Sequence, residues 1–326
     1  MKFVIIGAGA LGSIYAAYLA RAGYEVALVA RGDRALRLAK HGVPVTGQES
    51  FTARCAIVTN PETLSDVDVV IVAVKTYDTT SALASVRGLT PKLAFSVQNG
   101  VLKNQQLAAA FGGNVVLGSI AMFGGDVLPA QGDRPGEVRY NVVGPTVLGE
   151  LSGGESSRAR ELVGVFERAG LQAQASAAIG SAEWSKFVAW SGFSTVAILT
   201  RLPTWQFMSD PDTALIAARV MRETAAVAMR HGIALQDSGF TSQAFINGSE
   251  AEAVKAAQAH GERMKQNAPT FRQSILQDAD RNRRLEVNET LGYTLQLGSR
   301  LGVPTPTLDL CCCVLRAVSR AAAIDV

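Results

Sequence analysis

The chain has 326 residues, 48% of them hydrophobic and 18% charged, with a formal net charge of +3. That length holds two domains with sizeable cores, and no apolar run approaches the roughly 18 residues of a membrane span. So small a charge, with no Lys/Arg cluster, excludes a nucleic-acid surface.

Strand-like residues begin at Lys2, which leaves no room for a secretory leader, so a cytoplasmic location is expected. Phe3–Ile6, Val26–Val29, Val69–Val74, Ala94–Val97 and Val115–Gly118 are short and apolar throughout, with helical patterns between them. Such runs describe parallel strands covered by helices on both faces. Between Gly124 and Gly149 the pattern changes. Gly132, Pro135, Gly136, Gly144 and Pro145 punctuate Glu137–Val142 and Thr146–Leu148, and the spacing predicts antiparallel hairpins. A helix over Ser156–Ala169, stopped by Gly170, and a strand over Leu171–Ala175 complete a first domain, residues 1–177.

From Ala178 onward the strand signal nearly vanishes. Ser181–Leu202, Pro211–His231, Glu250–Lys265 and Arg272–Leu301 read as helices, with Gly232 and Gly302 as C-terminal stops. The expected fold class is α/β: an N-terminal Rossmann-type parallel sheet domain followed by an all-α C-terminal domain, residues 178–326. Four cysteines are present, Cys55 and the run Cys311, Cys312 and Cys313. Three adjacent cysteines on a helix point in three directions and form no metal-ligand face, so no metal is expected. They read as small buried apolar residues in a reducing compartment.

The strongest motif opens the chain. Phe3–Ile6 runs into Gly7-Ala8-Gly9-Ala10-Leu11-Gly12 and then a helical stretch, a G-x-G-x-x-G pattern in its strand–turn–helix context. Gly7 allows the tight turn, Gly9 lets a pyrophosphate approach the backbone, and Gly12 lets the helix pack on the strand. Free N–H groups and the helix dipole would hold the phosphates. The second strand ends Val29-Ala30-Arg31, with no carboxylate until Asp33. An NAD enzyme places an acid there; an arginine offers its planar fork to a 2′-phosphate, so the expected cofactor is NADP (NADPH).

Taken together, these blocks resemble the ketopantoate reductase (2-dehydropantoate 2-reductase) family over essentially the whole chain. The resemblance rests on Gly7–Gly12 with Arg31, Val74-Lys75-Thr76-Tyr77, Gln98-Asn99-Gly100-Val101 and Glu183-Trp184-Ser185-Lys186-Phe187. It continues with Leu199-Thr200-Arg201, Ser274-Ile275-Leu276-Gln277-Asp278 followed by Glu286, and Leu301-Gly302-Val303-Pro304-Thr305-Pro306. It implies that Lys186 is the catalytic lysine, Asn99 an asparagine near the nicotinamide and Lys75 a cofactor-side lysine. Ser274 and Glu286 match substrate-binding positions, with Glu286 and Asn99 also counted in the catalytic set beside Lys186. The partner implied is a small-molecule 2-keto acid, with a homodimer formed through the helical domain.

The chemistry explains the lysine. Hydride addition to a keto carbon leaves charge on oxygen, which a neighbouring ammonium stabilises and then protonates. On residue type alone, a single lysine in an amphipathic helix reads as solvated. The chain also departs from the family. Where well-known members carry asparagines four and eight residues after the lysine, it has Trp190 and Ser194, with Phe193 beside them; Phe271 replaces a further asparagine. Helical spacing keeps Lys186, Trp190 and Ser194 on one stripe. Two accounts stand side by side: the aromatics line the substrate pocket, or they pack a core. On one straight helix Ser274 and Glu286 would lie about 120° apart, and Arg281, Arg283 and Arg284 between them read as a solvated face or a subunit contact. The expected activity is NADPH-dependent reduction of 2-dehydropantoate, or a related 2-keto acid or lactone, to the 2-hydroxy product. The alternatives are a paralogue reducing a bulkier apolar carbonyl or imine, and a non-catalytic NADP-binding redox sensor.

Overall fold

The computed structural model describes residues 1–237 and 243–322. Two compact units emerge: Met1–Asn99 with Lys103–Gly180, and Gly100–Leu102 with the chain from Ser181 onward.

In the first unit five parallel strands lie side by side in the order Ala56–Val58, Glu25–Val29, Lys2–Ile6, Val69–Val72, Leu93–Ser96. The order reverses direction beside the first strand of the chain, the topological switch point of a doubly wound sheet. Successive strand side chains point to opposite faces, and the burial follows that rule. Phe3 and Ile5 join a core with Ile14, Tyr15 and Leu19 of the helix Ala10–Arg21, whereas Val4 and Ile6 join another with Leu83 and Leu107. Both faces are covered, which is why these strands read as continuous apolar runs.

The glycine-punctuated stretch forms one of the expected antiparallel hairpins, Gly124–Val127 with Val138–Val142, closed around Gly132, and departs from expectation after it. Val138–Val142 runs antiparallel to Gly124–Val127 and parallel to Val43–Gly47. Thr146–Glu150 runs antiparallel to Leu117–Ala121 and parallel to Ala173–Ala175. The two strands thus enter separate sheets. At Gly144 a Cβ would lie 2.5 Å from the Met122 carbonyl oxygen, so the chain crosses there in close contact instead of turning back on itself. Strands Phe51–Ala53 and Ala56–Val58 had no sequence signal, because three residues are too few to display a period.

The second unit is helical: Ile179–Thr200 (whose first residues precede the unit), Thr204–Ser209, Pro211–Arg230, Gln243–Ile246, Glu250–Asn267, Ser274–Asp280, Leu291–Leu301 and Pro306–Ala322. Local signals set several starts. Asp210 accepts from the Thr213 N–H at 2.9 Å with Pro211 at the first helical position, and Ser249 with Glu252 forms a capping box. The expected continuous helix Arg272–Leu301 is instead two helices with a non-helical segment, 281–290, between them. Asn282 adopts a left-handed conformation (φ 51°), which asparagine tolerates and which ends the first helix. A helical angle between Ser274 and Glu286 therefore has no meaning here.

Cys311 and Cys312 are buried, as expected, but Cys313 is exposed and Cys55 half-buried. Among the described residues no group of side chains could hold a metal ion, and no helix is long and apolar enough to cross a membrane.

Candidate functional site

The first unit gathers its site residues at one edge of the parallel sheet. Ile6 is level with Val29 and Val72, and Val72 with Ser96. Gly7, Arg31, Lys75 and Asn99 therefore all follow the C-terminal ends of adjacent strands, where open α/β sheets bind ligands.

Each glycine of the turn has a separate physical reason. Gly7 has φ 113°, and a Cβ there would lie 2.8 Å from the Val74 amide nitrogen. A methyl at Gly12 would overlap the Gly7 carbonyl oxygen, so only glycine lets the helix start so close to the strand end. Gly9 differs: its nearest neighbour would be the Ala73 carbonyl oxygen at 3.9 Å, and the residue is exposed. Its lack of a side chain is not needed for packing. It leaves the backbone open to an outside group. No side chain caps the helix that begins at Ala10, and its first turn holds no acid. The positive helix end thus faces outward uncompensated, as a pyrophosphate requires.

Arg31 is 72% exposed and pairs with Asp78 at 3.3 Å. A second arginine, which the sequence did not single out, holds the turn itself. The Arg34 guanidinium donates to the Ala8 carbonyl at 2.6 Å, to the Ser13 hydroxyl at 3.2 Å and to the Gly136 carbonyl at 3.3 Å. Burial lowers its pKa from the ordinary arginine value. Its signal was weak because arginine three residues into a helix normally reads as solvated.

Beneath Asn99 lies a buried polar network, also missed. Gln98 donates to the Val74 carbonyl at 2.8 Å and to Thr79 at 2.7 Å, and accepts from Ser96 at 2.8 Å. The Lys103 ammonium, 5% exposed, donates to the carbonyls of Gln98 at 3.1 Å and Ser119 at 2.6 Å. The carbonyl preceding Asn99 is thereby fixed. Lys75 and Asn99 are themselves half-buried.

In the second unit Lys186 sits on Ile179–Thr200. From Glu183 to Ile198 every residue is buried except Lys186, which is half-buried. The helix is apolar all round and so lies in the core, not amphipathic at the surface. A solvated lysine needs an exposed face, and this helix has none along that stretch. Ser185 beside it donates to the Ser181 carbonyl at 2.7 Å and accepts from the Gln236 amide at 2.8 Å, tying the helix to the chain beyond Gly232.

Further along the lysine's stripe, the Trp190 indole nitrogen and the Ser194 hydroxyl are both buried without a hydrogen-bond partner. The Trp190 ring stacks on Phe187 at 5.8 Å and the Phe193 ring on His260 at 5.6 Å, both within the helical core. Phe271 is 38% exposed. The three aromatics therefore form no continuous wall among themselves.

Glu286 lies in the 281–290 segment and is buried; its carbonyl accepts from the Thr290 hydroxyl. The Ser319 hydroxyl holds the neighbouring Leu285 amide at 3.0 Å. A Cβ on Gly100 would touch Thr290 at 3.1 Å, so the residue after Asn99 packs on this same segment. Burial raises the Glu289 carboxyl above the usual glutamate value, although Arg284 donates to it at 3.2 Å. Ser274 is exposed, in the first turn of its short helix.

The sequence matches the family described as ketopantoate reductase PanE/ApbA over residues 3–153, and that family's C-terminal domain over residues 178–319. The chain belongs to the ketopantoate reductase family. It is accordingly an oxidoreductase acting on a keto group, and it uses a nicotinamide cofactor. Among its relatives is a 2-dehydropantoate 2-reductase of Archaeoglobus fulgidus, 29% identical and aligned over 92% of this chain and 91% of the relative. Another, from Mesorhizobium japonicum, is 29% identical over 98% of each chain. The crystal structure of a PanE/ApbA family ketopantoate reductase from Ralstonia eutropha JMP134 superimposes with a TM-score of 0.82 at 25% identity, covering 99% of this chain and 100% of that one. Membership of the ketopantoate reductase family explains why the glycine turn and the half-buried lysine occur in one chain. Each belongs to a separate matched segment.

Proposed function

We propose that this chain reduces 2-dehydropantoate, or a closely related 2-keto acid or lactone, to the 2-hydroxy product with NADPH, and that Lys186 is the general acid. The observation that carries the reading is the half-buried lysine on an otherwise buried helix, because a core position is a costly place for an ammonium that has no task. NADPH, when bound, supplies the hydride. The Gly7–Gly12 turn and the uncapped helix start hold its pyrophosphate, Lys75 and Asn99 contact its nicotinamide half, and Arg31 takes the 2′-phosphate. The Lys186 ammonium stabilises the oxygen as charge develops on it and passes its proton there. Glu286 and Ser274 bind substrate, and the unpartnered Trp190 N–H and Ser194 hydroxyl offer hydrogen bonds to its polar groups. A buried polar atom left unpaired costs about 1–3 kcal/mol, which a bound acceptor would recover. We assign residues 1–177 to the cofactor and 178–326 to substrate and catalysis.

A panel of 2-keto acids with NADPH tests the reading. We expect ketopantoate to be reduced with kcat/KM of about 10⁴ M⁻¹s⁻¹ or better. A second reading, a larger apolar keto acid, is favoured by Trp190 standing where an amide would orient a hydroxyl. An aromatic wall separates substrates by only about 1–3 kcal/mol per methylene, whereas a lost hydroxyl partner costs far more. Under that reading the larger acid wins, and Trp190→Asn moves the preference back toward ketopantoate. A negligible rate with every keto acid would remove both.

Cofactor preference is tested at the Arg31–Asp78 pair. Arg31→Ala should weaken NADPH binding by about 1.5–3 kcal/mol, the lower end fitting so exposed a group, and leave NADH nearly unchanged. Asp78→Asn should do the opposite. It removes a carboxylate that occupies the guanidinium and repels a phosphate, so NADPH should tighten a few-fold, in line with about 0.2–1 kcal/mol for an exposed pair. Fluorescence titration with both cofactors checks the signs. Equal losses for NADPH and NADH in Arg31→Ala would contradict the assignment.

A further inference from the structure

Beside the glycine turn stands a cation that has no carboxylate of its own. Arg34, on the helix Gly32–His41, is half-buried, and burial lowers its pKa from the ordinary arginine value. Its hydrogen-bond partners are all neutral: the Ala8 carbonyl at 2.6 Å, the Ser13 hydroxyl at 3.2 Å and the Gly136 carbonyl at 3.3 Å. Among the described residues it makes no ion pair. A charge withdrawn from water without a counter-charge is unfavourable, so the arginine calls for an anion that the chain itself does not supply.

The three bonds also fix the backbone. The Nε and Nη2 atoms form one edge of the guanidinium plane, and that edge spans the Ala8 oxygen and the Ser13 hydroxyl. Ser13 donates to the same oxygen at 3.2 Å, so both lone pairs of the Ala8 carbonyl are taken. A helix wound one residue further back would need that oxygen for the Gly12 amide. The first helical bond runs instead from the Ser13 amide to the Gly9 carbonyl at 3.0 Å, which leaves the Gly12 amide outside the ladder and ready for an anion. The C=O and N–H of a trans peptide point in opposite directions. Holding the Ala8 oxygen against Arg34 therefore aims the Gly9 N–H away from it, and Gly9 is exposed.

The support is itself fastened. Gly136 lies just before the strand Val138–Val142, and Lys40 and His41, at the far end of the Arg34 helix, hold Asp133 of the same hairpin at 2.7 and 3.1 Å. Helix and hairpin are thus tied at two levels, and the guanidinium is set in place before any ligand arrives. We propose that Arg34 is a positioning residue for the pyrophosphate of the cofactor, setting the Ala8–Gly9 peptide, keeping the first-turn amides free and facing the diphosphate with an otherwise uncompensated charge. The inference rests on the reading of Gly7–Gly12 as a dinucleotide site. It gives Arg34 a task distinct from that of Arg31, because the pyrophosphate is common to NADPH and NADH and the 2′-phosphate is not.

Isothermal titration calorimetry of the full chain with NADPH, NADH and adenosine 2′-monophosphate tests the proposal. Arg34→Gln should weaken both dinucleotides by the same factor, at least about tenfold, as for a lost charge-assisted contact. Adenosine 2′-monophosphate, which lacks the pyrophosphate, should stay within about three-fold, since a charge that far away is largely screened. Arg31→Ala should give the reverse pattern, sparing NADH and weakening the other two. Arg34→Lys guards against a glutamine variant that fails to fold. It keeps the cation and the stem but has no planar edge to span two acceptors, so it should melt like the unmodified chain and still bind both dinucleotides at least about three-fold more weakly. Normal binding of NADPH and NADH by the lysine variant overturns the proposal. So does an equal loss for all three ligands, the mark of a residue that only holds the fold, or a loss confined to NADPH, which would move Arg34 to the 2′-phosphate. If the unmodified chain binds neither dinucleotide, the cofactor reading fails first and this proposal with it.

Discussion

Lys186→Ala is expected to lower kcat by about 10²–10⁴-fold while NADPH affinity stays within about two-fold, the signature of a group that acts on the developing alkoxide and not on the cofactor. The helix around it is buried from Glu183 to Ile198, and removing a long side chain there could loosen the core. Lys186→Met separates the two effects. It keeps the apolar stem, so its melting temperature should match the unmodified enzyme, yet its kcat should fall as far as that of the alanine variant. Single-turnover rates with saturating NADPH are the measurement to make. A near-normal rate in the methionine variant would show that the ammonium contributes packing or nothing, and the catalytic assignment would fail.

The second large effect divides the glycine turn. Gly12→Ala places a methyl on the Gly7 carbonyl oxygen, and both groups are backbone or rigidly attached to it. The helix must move off the strand, at a cost of about 1–3 kcal/mol or more for overpacking. Both the melting temperature and NADPH affinity should drop. Gly9→Ala meets nothing closer than 3.9 Å, so its melting temperature should hold within about 1 °C. NADPH affinity should nevertheless fall at least about tenfold, because the new methyl stands where the pyrophosphate approaches the backbone. Differential scanning fluorimetry with and without NADPH reads both quantities. If Gly9→Ala binds NADPH normally, the turn is a structural feature and the phosphate site lies elsewhere.

Much of the first unit was legible because its signals are local or periodic. Four of the five apolar runs marked strands of the parallel sheet, because strands covered on both faces are apolar throughout, whereas the fifth, Val115–Gly118, fell at Leu117–Ala121 in another sheet; the glycine spacing marked the turn. Lys186, Trp190 and Ser194 could be placed on one stripe by helical arithmetic. One expected hairpin formed, Gly124–Val127 with Val138–Val142, but Thr146–Glu150 left for another sheet, because glycine and proline mark where a chain bends, not which neighbour the next strand finds. The long helix Arg272–Leu301 failed at Asn282, where one left-handed residue outweighs good helical composition on either side.

The residues that position the site were the least visible. Arg34 and Lys103 are ordinary in sequence, one in a charged helix and one in a polar helix start. Their work consists of bonds to carbonyls of Ala8, Gly136, Gln98 and Ser119. Backbone carbonyls are the same at every residue, so no side-chain pattern can announce that such a bond will form.

The sequence by itself determined the family, the order of sheet and helices, and the side chains available for hydride-transfer chemistry. These depend on residue type and spacing along the chain. Only the tertiary structure decided that the lysine helix is buried all round, that Glu286 lies in a turn instead of on a helix, and that Trp190 and Phe193 stack within the core while Phe271 faces solvent. Burial and ring contacts are properties of what other segments bring alongside a residue. A helix records in its own sequence which faces are apolar, but not which apolar neighbours will cover them.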